Sequence, residues 1–292
     1  MQYLNRFYLP TERDETAFIL DHPKTGMTCY SSNIYPFRLF PAKGLETLEF
    51  APITIFYGGN GSGKSTLLNV ISETMALERG SRFNRTPFFE EYVNMCRFDL
   101  TYGNLPPKGS RIITSDDVFD CLLDIRAINE GVDAQREALF DTYDELRKES
   151  YQIKSLSDYG ELKKRNEAWK TTRSAFARRR LPQNLQNGSN GESAFSYFTQ
   201  AIGENALYLL DEPENSLSAK LQIELAGFLE EAVRFYNCQI VFSTHSPFLL
   251  SVKGARIYDL DAHPICERAW TELENVRLYQ SFFEARRKEF EK

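Results

Sequence analysis

Residues 53–77 read ITIFYGGNGSGKSTLLNVISETMAL, and this stretch decides the fold. Its β-branched and aromatic beginning is typical of a buried strand. A glycine-rich turn follows, and the apolar residues after that turn recur at helical spacing. These apolar residues are Leu67, Leu68, Ile71 and Met75. A strand, a glycine-rich turn and a helix in this order predict a loop that binds phosphate groups.

The glycine-rich turn matches the pattern G-x-x-x-x-G-K-[ST] from Gly58 to Ser65. Its glycines allow backbone N–H groups to point inward at phosphate oxygens, and the next helix presents its positive N-terminal end. Lys64 is expected to reach the β- and γ-phosphates, and the Ser65 hydroxyl to bind Mg²⁺. A chance glycine turn before Lys-Ser is the alternative, which the flanking strand and helix disfavour. The candidate nucleotide-binding residues are Gly58, Gly59, Asn60, Gly61, Ser62, Gly63, Lys64, Ser65 and Thr66.

Two acidic residues, Asp211 and Glu212, follow the apolar segment ALYLL. We expect this segment to be a buried strand beside the strand that precedes the glycine-rich turn. An acid at the end of such a strand can hold Mg²⁺, and a neighbouring acid can accept a proton from an attacking water. The alternative is a pair of acids that only begins a turn before Pro213. Asp211 is therefore a candidate metal ligand and Glu212 a candidate general base.

A histidine, His245, ends the next apolar segment in FSTHSP. A single histidine after a strand is more often structural than catalytic. Here it is expected at the carboxyl edge of the same sheet, where ligands bind in open α/β folds. From that edge its imidazole can form a hydrogen bond to the γ-phosphate and respond to hydrolysis.

The composition of the 292-residue chain is that of a globular protein, with 42% hydrophobic and 26% charged residues. No apolar run is long enough to span a bilayer, and the first residues do not resemble a secretory signal. The five cysteines are scattered and odd in number, which favours reduced thiols over disulfides or a metal site. We therefore expect a soluble cytoplasmic protein that does not enter the membrane.

The charge is distributed unevenly along the chain. The formal charge is −6, but residues 147–180 contain eleven basic and four acidic residues, which leaves −13 for the remainder. The basic segment includes the cluster Arg178, Arg179 and Arg180. It is a candidate DNA contact, and a solvated face or a contact with an acidic protein surface is the alternative.

The chain as a whole is predicted to be a single α/β domain over residues 1–292, with a mostly parallel sheet flanked by helices. Short apolar strands alternate with helices in the last third, and RIIT at 111–114 is a further predicted strand. Residues 1 to about 57 are expected to be rich in strands. Residues from about 120 to 180 are expected to form a basic, helical insertion, because they are rich in Glu, Lys, Arg, Gln and Leu.

Five sequence blocks now follow one another: the glycine-rich loop, GSNGE at 188–192, LYLLDEP at 207–213, NSLS at 215–218, and THS at 244–246. This order resembles the P-loop ATPase head of ABC-type proteins, in which the second block is the signature motif, the fourth the D-loop, and the last contains the switch histidine. The chain is also similar to small bacterial "AAA family" ATPases, which share YPF at 35–37 and GARIY at 254–258. The resemblance implies ATP and Mg²⁺ as ligands and catalytic roles for Glu212, His245 and Lys64.

The signature motif is assigned to nucleotide binding by this resemblance. Its members here are Ser189, Asn190, Gly191 and Glu192. The motif reads Ser-Asn-Gly-Glu where transporters have Ser-Gly-Gly-Gln. The helix that follows can still donate N–H groups, and Ser189 still supplies a hydroxyl.

Two further assignments leave alternatives open. No glutamine-bearing Q-loop follows the P-loop helix, and the resemblance places Asp116 there as a ligand of Mg²⁺ or water. A surface turn is an equal alternative for Asp116. Tyr35 and Phe37 are candidates to stack on adenine, although core packing is the more common use of such residues.

ABC-type ATPases share their sites between two subunits, so the resemblance also implies an ATP-dependent homodimer with two-fold symmetry. We expect the signature loop of one chain to close on the nucleotide held by the P-loop of the other. Three functions fit this arrangement. The first is an ATP-gated switch for a partner such as a nuclease, in phage defence. The second is a DNA-associated ATPase that resembles the SMC and RecF-like group. The ATPase subunit of a membrane transporter is the weakest, because the segment between P-loop and signature departs from the transporter pattern.

Overall fold

The computed structural model describes residues 1–21, 34–103, 105–148, 159–181 and 189–291. Its internal contacts divide the chain into two units. Met1–Val118 and Asn190–Lys292 form the first, which we call the sheet unit, and Phe119–Ser189 form the second, which we call the helical unit. The interpretation of the chain as one domain with an insertion at about 120–180 stays a prediction.

The sheet unit is built on a sheet of seven strands in the order β10-β9-β3-β8-β7-β6-β4. Their bounds are β3 Ile53–Tyr57, β4 Glu78–Arg79, β6 Arg111–Thr114, β7 Leu207–Asp211, β8 Gln239–Thr244, β9 Arg256–Asp259 and β10 Cys266–Glu267. All neighbouring pairs are parallel except β9 with β10. Every residue of β3 and β8 is buried, as expected for parallel strands covered on both faces. The predicted α/β fold with a mostly parallel sheet is confirmed.

One detail of the predicted strand order is wrong. The strand that ends in Asp211 was expected beside the P-loop strand, but β8 lies between β7 and β3. The two neighbours of β3 are β8 and β9, so both of its edges are occupied. Asp211 still reaches the P-loop, because all these strands end at the same edge of the sheet.

A smaller antiparallel sheet has the order β2-β1-β5, with β1 Leu4–Tyr8, β2 Thr47–Glu49 and β5 Arg97–Leu100. The side chain of Gln239, fully buried at the start of β8, attaches β1 to the large sheet. Its Oε1 accepts hydrogen bonds from the N–H groups of Tyr3 and Leu4, both at 2.7 Å. Its Nε2 donates to the carbonyls of Leu4 at 2.8 Å and Ala51 at 3.1 Å.

The helices of the sheet unit depart from the sequence prediction in two places. The N-terminal region, expected to be rich in strands, also contains α1. The P-loop helix α2 ends at Thr74, one residue before Met75 of the predicted helical spacing, because the chain turns there into β4. The bounds are α1 Glu12–Asp21, α2 Lys64–Thr74, α3 Phe89–Met95, α7 Asn190–Ala201, α8 Ala219–Phe235, α9 Pro247–Leu250, α10 Glu274–Ala285 and α11 Arg287–Phe290.

The helical unit comprises most of α4 (Ser115–Lys148), together with α5 (Tyr159–Lys170) and α6 (Arg173–Arg178). These helices enclose a small apolar core of Tyr143, Leu146, Ala168 and Phe176. The hydroxyl of Thr172 caps α6 by accepting a hydrogen bond from the N–H of Ala175. Across the described parts of the chain, no helix is both long and apolar enough to cross a bilayer.

Candidate nucleotide-binding site

The P-loop connects β3 to α2 and forms one wall of a cavity of about 250 Å³. Gly63 precedes the first residue of α2 with φ = +103°, a backbone conformation that glycine adopts far more easily than other residues. The N-terminal end of α2 therefore lies at the cavity, where its free N–H groups favour an anion. The lining residues are Tyr35, Asn60, Gly61, Ser62, Gly63, Lys64, Ser65, Thr66 and Glu212.

Lys64 is almost fully buried, with 4% of its side chain exposed. Its Nζ donates to the carbonyl oxygens of Gly58 at 2.7 Å and Gly59 at 3.0 Å. It also lies 3.3 Å from Oε1 of Glu212. The residue predicted to bind phosphate and the residue predicted to act as general base are thus in direct contact.

Two residues outside the motif form hydrogen bonds with the backbone of the P-loop. Lys43 donates through Nζ to the carbonyl of Ser62 at 2.7 Å and to that of Leu260 at 2.9 Å. Asp261 accepts a hydrogen bond from the N–H of Gly59 at 2.7 Å. Sequence reasoning did not identify either contact. The one signal for Asp261 is its place just after β9, the strand beside β3.

The carboxylate of Asp211 receives hydrogen bonds from two hydroxyl groups. Its Oδ1 accepts from Ser65 at 3.1 Å and from Ser243 at 2.6 Å. Burial raises the pKa of Asp211, and the two hydroxyl groups oppose that rise. A serine hydroxyl beside a carboxylate offers the oxygen ligands that Mg²⁺ prefers. Among the described residues no cluster of three His, Cys, Asp or Glu side chains forms a metal site, so phosphate oxygens and water would complete the coordination.

Glu212 has an uncommon backbone conformation, with φ = +47°. Non-glycine residues rarely adopt it, and such residues cluster at functional sites. The N–H of Glu212 donates to Ser243 Oγ at 2.9 Å, and Asn215 Nδ2 donates to Oε2 at 3.4 Å. These bonds fix the backbone and the carboxylate of Glu212 at the edge of the P-loop cavity.

His245 is held by a carboxylate that sequence reasoning missed, Glu214. Oε1 of Glu214 accepts from Thr244 Oγ1 at 2.7 Å and from the His245 N–H at 2.9 Å. It also lies 3.2 Å from Nδ1 of the His245 ring. Burial raises the pKa of Glu214, opposed by the hydrogen bonds from His245 and Thr244. The spacing Glu212-x-Glu214 was visible in the sequence, but nothing there indicated that the second acid faces the next strand.

The signature residues Asn190, Gly191 and Glu192 form the first turn of α7, and Ser189 precedes it in an exposed position. Gly188 lies outside the described residues. Gly191 is closely packed, because an added Cβ would lie 3.1 Å from the Ser216 carbonyl and 3.0 Å from Leu221 Cδ1.

None of the four signature residues lines the P-loop cavity of the same chain, as far as the described residues show. The loop is instead packed against its own D-loop through Gly191.

Asp116 is exposed in the first turn of α4, directly after β6. The buried acid of this turn is its neighbour Asp117, which accepts hydrogen bonds from Thr114 N–H at 2.7 Å and Ser81 N–H at 2.6 Å. Nothing places Asp116 against Ser65 or Asp211 in the described contacts, and its role as a ligand stays a prediction.

The two aromatic candidates for base stacking lie in different environments. Phe37 is buried, stacked on Phe18 and edge-on to Tyr92. Tyr35 is 45% exposed and lines the P-loop cavity, and its hydroxyl contacts that of Thr66. Of the two, Tyr35 is the one at the site.

The basic cluster of the helical unit is partly neutralised within that unit. Glu167 pairs with Arg179 at 3.5 Å and with Arg180 at 2.6 Å. The guanidinium group of Arg180 also packs over the Phe176 ring, 3.7 Å from its centre. Arg178 is exposed.

The α4 part of the helical unit is acidic, with eight acidic and four basic residues from 119 to 148. One of these acids, Asp144, pairs with Arg173 of α6 at 3.0 Å. The positive charge of residues 147–180 therefore has acidic partners in the same unit.

Residues 105–251 match the protein family described as "AAA domain, putative AbiEii toxin, Type IV TA system". The chain belongs to this AAA-domain family. The matched residues include β6, β7, β8 and the helix α7.

Solved structures similar to this AAA-domain protein share little sequence with it. The SMC head domain from Thermotoga maritima is 13% identical, covers 92% of this chain and 99% of its own, and has a TM-score of 0.40. An ATP-binding cassette described as dimeric, post-hydrolysis and bound to ADP and Pi is 14% identical, with 78% and 90% coverage and a TM-score of 0.36. A Streptococcus thermophilus protein is 14% identical, with 72% and 70% coverage and a TM-score of 0.37. No curated protein sequence matches the chain.

Proposed function

We propose that this AAA-domain ATPase binds Mg-ATP at the P-loop, hydrolyses it at a site shared by two chains, and acts as an ATP-gated switch for a partner protein. The observation that carries the proposal is the network at the ends of β3, β7 and β8. It brings Lys64 to Glu212 at 3.3 Å and Ser65 to Asp211 at 3.1 Å, which are the pairs that phosphate binding and water activation require.

Each residue of the network has a distinct role in hydrolysis. Lys64 exchanges its carbonyl partners for the β- and γ-phosphates and neutralises their charge. Ser65 and Asp211 would hold Mg²⁺, which would supply positive charge next to the phosphate oxygens. Glu212, released from Lys64, accepts the proton of the attacking water. His245 donates a hydrogen bond to the γ-phosphate from Nε2, while Nδ1 is held by Glu214.

Tyr35 supplies the aromatic surface for the adenine base in this proposal. Its ring is exposed at the cavity, whereas the ring of Phe37 is buried in the core. A flat ring at that place can stack on the base, and adds affinity without contacting the phosphates.

The shared site is supported by where the signature lies. Its residues are at the start of a twelve-residue helix whose N-terminal N–H groups favour an anion, yet they do not line the P-loop cavity of their own chain. In a two-fold dimer the same loop faces the nucleotide of the other chain, and both sites are completed at once. ATP then joins the chains, and loss of the γ-phosphate separates them.

The partner of the switch is proposed to be an effector protein in a phage-defence system, such as a nuclease. The family description names a toxin of a type IV toxin–antitoxin system, which fits a protein that acts together with a second component. DNA binding through Arg178, Arg179 and Arg180 is less favoured, because Glu167 already pairs with two of these arginines.

Glu212→Gln tests hydrolysis and dimer formation together. The amide keeps the size of the side chain but cannot accept the proton, so turnover falls about 10²–10⁴-fold while Mg-ATP still binds. Sedimentation should then show a stable dimer with Mg-ATP and a monomer without it. Turnover at the wild-type rate would reject Glu212 as the base, and a species that stays monomeric at high concentration would reject the shared site.

Ser189→Arg separates the shared site from a monomeric site. Bulk and charge at the signature should prevent dimer formation and turnover, while ATP affinity stays close to wild type. Mixing Ser189→Arg chains with Lys64→Ala chains should restore one composite site per dimer, built from the intact P-loop of the first and the intact signature of the second. A mixture as inactive as the separate variants contradicts the shared site.

A further inference from the structure

A second cavity, of about 630 Å³, is lined in part by His245. Among the residues that the structure describes, none lines both this cavity and the P-loop cavity. Its walls come from Glu214, from Gln222 of α8, from residues 245–248 and from the C-terminal segment around α10. Its volume is in the range of pockets that bind small organic molecules.

The lining combines four aromatic rings with one buried acid. The rings are those of Phe248, Trp270, Tyr279 and Phe283, and each is between 37% and 52% exposed. The acid is Glu214, which is 6% exposed. None of the described lining residues is a lysine or an arginine, so the only cationic group within the lining is His245 when protonated.

The two carboxylate oxygens of Glu214 differ in their hydrogen bonding. Oε1 takes the contacts from Thr244 and His245, whereas Oε2 is buried and has no hydrogen-bond partner among the described residues. A buried carboxylate oxygen without a partner is costly, and native proteins rarely leave one unexplained. A positive charge in the cavity that Glu214 lines would reduce this cost through electrostatic attraction.

We propose that this cavity, formed by Glu214 and the four aromatic rings, binds a small organic cation with an apolar body. The negative charge of Glu214 in the cavity wall would attract a cationic group held in the cavity. The same group would be attracted to the aromatic faces, and the apolar body would fill the remaining space. A neutral molecule of the same shape would gain only the contacts between its apolar body and the cavity.

The ligand would also act on the nucleotide site, and this second part rests on the proposed function. Glu214 holds the backbone and the ring of His245, so a cation in the cavity changes the electrostatic environment of the group that orients the histidine. Binding should therefore alter ATP turnover by changing kcat, with little effect on the KM for ATP.

Binding can be measured without nucleotide through the fluorescence of Trp270. The chain has two tryptophans, and Trp169→Phe in the helical unit leaves Trp270 as the sole reporter. Benzylamine, cationic at neutral pH, and benzyl alcohol, its neutral counterpart, are the probes. Benzylamine should change the emission saturably and bind at least about tenfold more tightly than benzyl alcohol.

Three variants identify the source of that preference. Glu214→Gln should abolish it, since the amide keeps an acceptor for Thr244 but loses the charge. Phe283→Ala should weaken both probes, while Phe235→Ala, which removes an exposed aromatic at the end of α8, should change neither. Equal binding of the two probes, no binding of benzylamine to the folded protein, or a preference retained in Glu214→Gln would overturn the proposal.

The effect of benzylamine on ATP turnover is measured in a separate kinetic experiment. Saturating benzylamine should change kcat in the Trp169→Phe protein but not in Glu214→Gln. Binding with unchanged kcat would overturn the coupling to His245. A protein that binds benzylamine but shows no ATP turnover at all would instead reject the proposed function and leave the cation site standing.

Discussion

The sheet unit and the helical unit hold their charged side chains in different ways. At the ends of β3, β7 and β8, Lys64 and Glu214 are buried, and each satisfies several polar groups at once. In the helical unit, Glu167 pairs with arginines whose side chains remain 29% and 64% exposed. Water and salt screen the second kind of pair but not the first.

This difference indicates where one substitution has a large effect. Removal of a buried, hydrogen-bonded charge leaves its partners unsatisfied, whereas exposed ion pairs contribute about 0–1 kcal/mol. A high density of charge in the sequence is therefore a poor guide to function. The most charged segment, residues 147–180, is expected to tolerate change better than the nearly neutral P-loop.

Lys64→Ala should have the largest effect on nucleotide binding. The loss of charge-assisted bonds to the β- and γ-phosphates should weaken ATP affinity about 10²-fold or more, measured by calorimetry. Lys220→Ala, in which an 85% exposed lysine of α8 is removed, is the matched control and should bind ATP normally. An unchanged Kd in Lys64→Ala would contradict the P-loop assignment.

His245→Ala should have the next largest effect and act on turnover. A lost hydrogen bond to a charged phosphate corresponds to roughly a 10- to 100-fold lower kcat, with ATP affinity almost unchanged. Steady-state kinetics that separate kcat from KM provide the measurement. A variant with the wild-type kcat would show that the Glu214–His245 pair is purely structural.

Glu15→Gln tests a buried acid away from the nucleotide. Burial raises the pKa of Glu15 to about 7, from an ordinary value of 4.5. The folded protein therefore keeps this proton to a higher pH than the unfolded chain, and the stability it provides below pH 4.5 is lost as pH rises towards 7. Chemical denaturation across this window should show a loss on the order of 2–3 kcal/mol in wild type and a flatter profile in Glu15→Gln.

Glu167→Gln is the matched control for that experiment. Hydrogen bonding to Arg180 lowers the pKa of Glu167, so its contribution has the opposite sign and is lost as pH falls. Because the pair is exposed, the change should be small. A pH profile altered more by Glu167→Gln than by Glu15→Gln would reverse the comparison between the two units.

Replacement of Arg178, Arg179 and Arg180 by alanine should leave the affinity for ATP unchanged. If the cluster binds DNA, wild-type affinity must fall steeply with salt, and the triple variant must weaken binding and flatten that slope. Titrations of wild type and the triple variant with DNA at several salt concentrations measure this slope. No DNA binding by wild type at low salt, with Mg-ATP present, removes the DNA-associated alternative.

The sequence predicted those parts of the site that lie in continuous motifs. Two such motifs are Gly58 to Thr66 and Asp211-Glu212. In each, the strand, the turn and the charged residue are neighbours in sequence, so a short pattern identifies them. Lys43, Asp261 and Glu214 could not be predicted, because each acts on a residue that only the strand order brings near. Tyr35 and Phe37 could not be distinguished for the same reason, since only tertiary packing decides which ring is buried.

The side chain of Gln239 has a consequence for the order in which the molecule is made. The strand β1 is synthesised well before β8, and its hydrogen bonds to Gln239 span 235 residues. The strand that leads into the P-loop is likewise flanked by β8 and β9, both from the last fifth of the chain. Such non-local pairing delays folding until the late segments exist. A nascent chain on the ribosome therefore carries the whole P-loop motif long before it has a P-loop that can bind a nucleotide.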